Sequence, residues 1–192
     1  MATPDSEPPA RARRIFLAMW PDAALRAQIR DLTDALEHCR VDGRRVSDRN
    51  YHLTVAFLGA LRVAQVDALI ELVRDLEFPR VDLVFDRLGF WPRPRIVYLG
   101  CRVVPDTLRR FDRRLRRRLA GIGLVTERRA FSPHITLLRN ATHRPRLKLT
   151  PLQWSLDGLC GVSSVLGPAG ARYAVLQQSP GTSIVSVDGE YM

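Results

Sequence analysis

The chain has 192 residues, 46% hydrophobic and 26% charged, the composition of a folded globular protein and not of a disordered one. Thirty Lys and Arg against 20 Asp and Glu give a net charge of +10, with Lys148 the only lysine; the planar arginine fork suits phosphate, so an anionic partner is expected. The longest apolar runs, such as Ile15 to Trp20, are about six residues against the roughly 20 that cross a bilayer, and Met1 to Arg14 has no apolar segment ahead of a cleavage site, so neither a membrane span nor a secretory signal is expected and the cytoplasm is the expected location.

Residues 1 to 13 read as a disordered lead-in and Arg14 to Trp20 as a strand. Pro21 fits the first position of a helix with Asp22 in its first turn, and Leu25, Ile29, Leu32 and Leu36 follow at helical spacing. Asp42-Gly43 reads as a turn, Val46 to Asn50 as a loop, and Tyr51 to Gly59 as a strand. A second helix carries Val66, Leu69, Ile70, Val73 and Leu76 inward and is broken by Pro79. Two β-like runs, Val81 to Phe90 and Arg95 to Arg102, flank Trp91-Pro92-Arg93-Pro94 as a hairpin with a stiff loop.

Pro105 and Asp106 open a third helix with Leu108, Phe111, Leu115 and Leu119 as its apolar stripe, ending at Gly121 and Gly123. Its other face is Arg109, Arg110, Arg113, Arg114, Arg116, Arg117 and Arg118, which reads as a solvated surface or as a track for an RNA backbone with salt-dependent binding. Phe131 to Arg139 reads as a strand, Trp154 to Leu166 as one long strand, Gly167 to Gly170 as a turn, Ala171 to Gln177 as the returning strand, and 179–192 as a tail. Strands joined as often by turns as by helices indicate an α+β fold with a mixed or antiparallel sheet. Cys39, Cys101 and Cys160 are odd in number without C-x-x-C spacing, so they are expected reduced and buried. No apolar helix is left over for a partner, so a monomer is expected.

Two segments repeat a pattern: Tyr51-His52-Leu53-Thr54-Val55 and Pro133-His134-Ile135-Thr136-Leu137. Period-two alternation puts His52 and Thr54 on one strand face and Leu53 and Val55 on the other, and His134 and Thr136 repeat the arrangement. With four histidines and nine threonines in the chain, chance would place Thr two residues after two histidines only about one or two times in a hundred. A hydroxyl and an imidazole side by side can hold one phosphate, and two near-neutral imidazoles can supply the acid and the base that phosphodiester cleavage needs. Neither motif has an acidic or thiol partner at ligand spacing, so no metal and no cofactor is expected. There is no Gly-rich phosphate loop and no G-x-S-x-G elbow.

With motifs 134 − 52 = 82 positions apart, the chain resembles the two-histidine (2H) phosphoesterase superfamily, in its bacterial RNA 2′,3′-cyclic phosphodiesterase (2′-5′ RNA ligase) branch. Arg14-Ile15-Phe16-Leu17-Ala18 resembles the opening strand of that family, Asn50 to Gly59 its first motif, Phe131 to Arg139 its second, and Arg95 to Gly100 the strand between. The resemblance covers residues 14 to 178 and implies one bilobal, pseudo-twofold-symmetric α+β unit of mixed or antiparallel sheets flanked by helices, with each lobe placing one His-x-Thr strand at a central cleft. It implies hydrolysis of the 2′,3′-cyclic phosphate at RNA 3′ ends to a 2′-phosphomonoester, with His52 as proton donor, His134 as proton acceptor, and Thr54 and Thr136 holding phosphoryl oxygens. In reverse, the same pair could make a 2′-5′ linkage. The competing readings are a sister activity on a small cyclic nucleotide or ADP-ribose cyclic phosphate, and a basic RNA-binding module without catalysis.

Around this site, Phe16, Trp91 and Phe131 are candidates to stack a base, or core residues. Arg128 and Arg129 lead into the second motif as cleft or loop residues. Arg139 follows that motif, but strict alternation places it on the face opposite His134.

Overall fold

The computed structural model describes residues 14–182 except Arg128 and 168–169. The expected lead-in 1–13, most of the expected tail, and the candidate Arg128 lie outside the described residues. Strand β1 (Arg14–Met19) leads into helix α1 (Ala23–His38), then come the short β2 (Arg44–Arg45) and β3 (Leu53–Gly59), and helix α2 (Val63–Arg74) follows. Strands β4 (Val81–Phe85), β5 (Arg87–Trp91) and β6 (Ile96–Gly100) precede helix α3 (Asp106–Gly121). The chain ends on β7 (His134–Arg139), β8 (Leu152–Leu156), β9 (Cys160–Gly167) and β10 (Gly170–Gln178).

The helix ends follow local chemistry. α1 starts two residues later than expected: Asp22 is its N-cap, the carboxylate accepting the Leu25 N–H at 2.7 Å, and Pro21 stands outside the helix. α3 closes where Gly123 takes φ +74° and the Leu124 N–H reaches back to the Leu119 carbonyl at 2.9 Å. α2 buries Leu69, Leu72 and Val73, while Ile70, expected inward, is only partly covered. The expectation that all three cysteines are buried fails at Cys39, which caps α1 in solvent; Cys101 is partly buried, Cys160 fully, and all three are free.

The main sheet runs β10-β9-β1-β3-β7-β6-β5, with β2 beside the end of β7, and all its pairs are antiparallel. β4 and β8 form a separate antiparallel pair. This corrects two expected strands. The run Val81 to Phe90 splits at Asp86, whose carboxylate accepts the Arg102 N–H at 2.8 Å, because its first half pairs with β8 and its second with β6. The run Trp154 to Leu166 splits at residues 157–159 because β8 stays in the small sheet while β9 joins β1. Ser179, placed in the tail by sequence, is buried and clasps Leu159: its hydroxyl accepts the Leu159 N–H at 3.0 Å and its own N–H donates to the Leu159 carbonyl at 2.9 Å. Among the described residues no helix is long and apolar enough to cross a membrane.

One face of the main sheet carries Leu17, Leu53, Leu99 and Ile135, all fully buried in one core with Ile29 of α1, Leu69 of α2 and Leu108 of α3. The opposite face holds a small apolar patch of Phe16, Ala18, Trp20, Cys160 and Val162 and also presents polar side chains.

The two halves of the sheet meet at one residue pair, Leu53 on β3 and Ile135 on β7. These are the residues that follow the two histidines. A local twofold axis of an antiparallel pair that maps 53 onto 135 also maps His52 onto His134 and Thr54 onto Thr136, so the register turns the sequence repeat into a spatial one. With both side chains fully buried, Ile135→Ala should cost about 2–5 kcal/mol of stability, read as a lower midpoint in urea denaturation.

Candidate active site

Leu53 and Ile135 point into the core, so the neighbouring His52, Thr54, His134 and Thr136 share the other face of the sheet. Continuing the antiparallel direction by one residue each way puts Thr136 on the His52 side and Thr54 on the His134 side of the Leu53–Ile135 pair. All four expected site residues are thereby brought together, and each is partly exposed.

Both imidazoles are held alike. His52 Nδ1 lies 2.7 Å from the Asn50 carbonyl and His134 Nδ1 lies 2.9 Å from the Ser132 carbonyl. A carbonyl only accepts, so Nδ1 carries the proton and Nε2 is left for the cleft, as a base when neutral and as an acid when protonated. The anchors behind them are local. Asn50 is tied by its amide to the Ala171 carbonyl of β10 at 3.3 Å, and the fully buried Tyr51 donates its hydroxyl to Thr33 at 3.0 Å, which passes the hydrogen bond to the Ile29 carbonyl at 2.8 Å. Pro133, also buried, precedes His134 as Tyr51 precedes His52.

Aromatic rings surround each histidine. Trp20 stacks on His52 with ring centroids 5.4 Å apart and 25° between planes, and Phe16 and Tyr173 close in at 5.4 and 5.3 Å. Trp91 meets His134 edge-on at 4.6 Å and itself stacks on Tyr98 at 4.0 Å. Tyr98 can fold there because its partner across the strands is Gly89: a Cβ on Gly89 would lie 2.2 Å from the ring. Burial pushes both imidazoles down, His52 to about 4, with His134 and Arg139 adding repulsion to it, and His134 in the same direction with repulsion from Arg139 and Arg129. Both are neutral at pH 7 in the free protein.

The alternation expected for Arg139 does not hold. In β7 the register against β6 shifts between Thr136 and Leu138, so Tyr98 faces Thr136 but Val97 faces Leu138 and Ile96 faces Arg139. The extra residue, Leu137, is a β-bulge; Leu137 and Leu138 are both buried, and Arg139 returns to the face of His134. A matching bulge at Val55 in β3 buries Ala56 and turns Phe57 outward, 46% exposed. Phe57 and Arg139 thus occupy equivalent places in the two motifs. Since the strands are antiparallel, Arg139 lies toward the His52 end and Phe57 toward the His134 end.

At the His134 end a cavity of about 680 Å³ opens, lined among others by Thr54, Phe57, Trp91, Phe131 and His134, within the size range of small-ligand sites. Phe131 and Trp91 are therefore cleft residues. Phe16 is not open for stacking: it is 4% exposed and its free face lies on His52. Phe57 escaped the sequence reading because only the bulge decides which way it faces. Tyr98, Trp20 and Tyr173 escaped it because their roles come from strand pairing across the sheet. Among the described residues no group of three or more His, Cys, Asp or Glu side chains could hold a metal ion.

Imidazole proton resonances followed by NMR against pH should show His52 taking up a proton only near pH 4. Below the ordinary value of 6.5 the unfolded chain binds this proton and the folded one does not, so stability is full above 6.5 and falls from there toward pH 4. His52→Gln should flatten that fall in a thermal-melt series. Gly89→Ala should push the Tyr98 ring against Trp91 and His134 and destabilise the fold by about 1–3 kcal/mol, measured by the same melts.

The family model for LigT-like phosphoesterases matches residues 20–98. The chain is 36% identical over 143 residues to the RNA 2′,3′-cyclic phosphodiesterase of Escherichia coli K12, covering 74% of this chain and 81% of that protein. The crystal structure of E. coli LigT in apo form superposes with a TM-score of 0.76 at 31% identity, covering 88% of this chain and 97% of the other, and the E. coli LigT complex with 3′-AMP gives 0.73 at 30% identity over the same shares. Paired histidine strands on an antiparallel α+β scaffold and this extent of likeness agree: the chain belongs to the LigT-like phosphoesterases, a family of two-histidine enzymes.

Proposed function

We propose that the protein hydrolyses the 2′,3′-cyclic phosphate at RNA 3′ ends to a 2′-phosphomonoester. The observation that carries the reading is the presentation of two Nε2 atoms and two threonine hydroxyls on one sheet face about a local twofold axis. A phosphate on that axis meets an imidazole from each side and a hydroxyl from each motif. The RNA 2′,3′-cyclic phosphodiesterase activity of the E. coli relative and the 3′-AMP held by E. coli LigT support a ribose phosphate as the group bound.

In the forward step His134 Nε2 takes a proton from water as its oxygen attacks phosphorus, the bond from phosphorus to O3′ breaks, and the imidazolium of His52 gives its Nε2 proton to O3′. Thr54 and Thr136 donate hydrogen bonds to the non-bridging oxygens, where charge builds up in the transition state. Burial disfavours the His52 imidazolium in the free protein, and the anionic diester brings the charge that stabilises it for the acid role. Arg139, on the same face toward the His52 end, adds a positive charge beside the phosphate, and Phe131, Phe57 and Trp91 form the wall on which the nucleoside lies. Phe16 acts on the imidazole and not on a base.

The test is hydrolysis of an RNA oligomer ending in a 2′,3′-cyclic phosphate, in EDTA, with the position of the product phosphate assigned. Wild type should form a 2′-phosphate, and His52→Ala and His134→Ala should each lose about 10²–10⁴ in rate; alanine variants as active as wild type would refute the acid and base roles of the two histidines. Because kcat/KM reports the free protein and both imidazoles are pushed down, its decline with rising pH should begin below the ordinary histidine value of 6.5.

A further inference from the structure

Helix α3 carries seven arginines and two aspartates. Its buried side is Leu108, Phe111, Leu115 and Leu119, so the side farthest from the core is the ridge of Arg110, Arg113 and Arg117, spaced three and four residues apart and about 10 Å long. The arginines flanking this ridge are in use. Arg114 and Arg118 donate to the Glu77 and Asp75 carbonyls at 3.1 and 3.3 Å and pin α3 to the segment after α2, and Arg109 donates to the Val104 carbonyl at 3.1 Å. Arg116 pairs with Asp112 at 2.9 Å, bonds Thr126 and the Glu127 carbonyl, and lines the cleft.

The ridge itself is not in use. Among the described residues Arg113 and Arg117 form no ion pair or side-chain hydrogen bond, and Arg110 reaches only the Thr107 hydroxyl at 3.3 Å. Like charges at these spacings oppose the helix, and solvent exposure alone needs only polarity, which Glu or Gln would supply with no repulsion. Of the α3 arginines, the one that lines the cavity is Arg116. Arg116 is one helical turn from Arg113 and adjacent to Arg117 in sequence, and it fastens Thr126 and Glu127, which line the cavity beside His134. Arg129, in the cavity lining, is paired with Glu127 at 2.7 Å and adds no free charge to the ridge.

We propose that Arg110, Arg113 and Arg117 bind backbone phosphates of the RNA strand that precedes the reacting 3′ end, so that the protein favours an oligonucleotide over a mononucleotide. This rests on the reading of RNA ends as substrate. The contact is to phosphate and not to bases, so it adds affinity and orientation without sequence preference. Its strength falls with salt as counterions return to the strand.

The experiment compares wild type, the triple variant Arg110→Gln/Arg113→Gln/Arg117→Gln, and a control with the same charge change at Arg30, Arg87 and Arg144, which are exposed and outside α3. Turnover of a mononucleoside 2′,3′-cyclic phosphate and of an oligoribonucleotide with the same end gives a ratio of kcat/KM values. Fluorescence anisotropy gives affinity for the labelled oligonucleotide product across salt concentrations. The ridge variant should lower the ratio and the affinity at least tenfold and reduce the salt slope by about two, at roughly 0.7 per single-strand phosphate contact, while the control keeps both. Unchanged oligonucleotide affinity in the ridge variant would overturn the proposal. So would an equal loss in the control, or an equal loss of binding to polyglutamate, which would make the ridge a general polyanion surface. If wild type turned over neither substrate, the reading of the site would fall, and anisotropy would still decide the ridge.

Discussion

The contact between Leu53 and Ile135 sets the geometry of everything else. It is the only residue pair through which β3 and β7 are laddered among the described residues, and both side chains are wholly withdrawn from water. Burying these two forces their neighbours in both directions onto the opposite face, and antiparallel pairing relates those neighbours by a twofold axis. A slip of one residue would send the histidines into the core of one half. The same pair that closes the hydrophobic core across the sheet therefore fixes the facing of two imidazoles.

The symmetry is then broken in a useful way. Each motif strand carries a bulge directly after its threonine, and each bulge turns the next residue but one onto the open face. On β7 that residue is Arg139, a charge; on β3 it is Phe57, a ring. One end of the site is suited to an anionic group and the other, with Phe131 and Trp91 beside Phe57, to a flat apolar one. The aromatic surroundings also differ, and burial lowers His52 further than the other groups of the site. Two imidazoles equivalent in sequence are thereby made unequal in proton affinity, which is what an acid and a base acting on one phosphate require.

Away from the site, the excess of arginine separates by function once the contacts are known. Arg45, with Asp34 beside it, supports Tyr51 behind His52. Arg95, in the left-handed region at φ +54°, donates to the Asn140 and Ala141 carbonyls and holds the β5–β6 hairpin against the end of β7. Arg116 fastens the cavity wall. What composition presents as one feature, a net charge, is in the fold a set of struts together with one ridge of cations that form no ion pair among the described residues.

The pair of His-x-Thr strands, their shared polar face, the three helices with their apolar stripes, and the α+β class were legible in the amino-acid order, because each of these follows from side-chain periodicity over a few residues and from residue chemistry. Tertiary structure alone decided the rest. The division of Val81 to Phe90 and of Trp154 to Leu166 depends on which partner strand is nearest, and alternation is the same on either side of the break. The bulges at Val55 and Leu137 are invisible to a period of two, so Arg139 and Phe57 could not be assigned a face. The rings of Trp20, Tyr98 and Tyr173 reach the histidines from β1 and its turn, β6 and β10, segments far apart in the chain, and the burial that depresses the imidazoles exists only when those strands lie side by side.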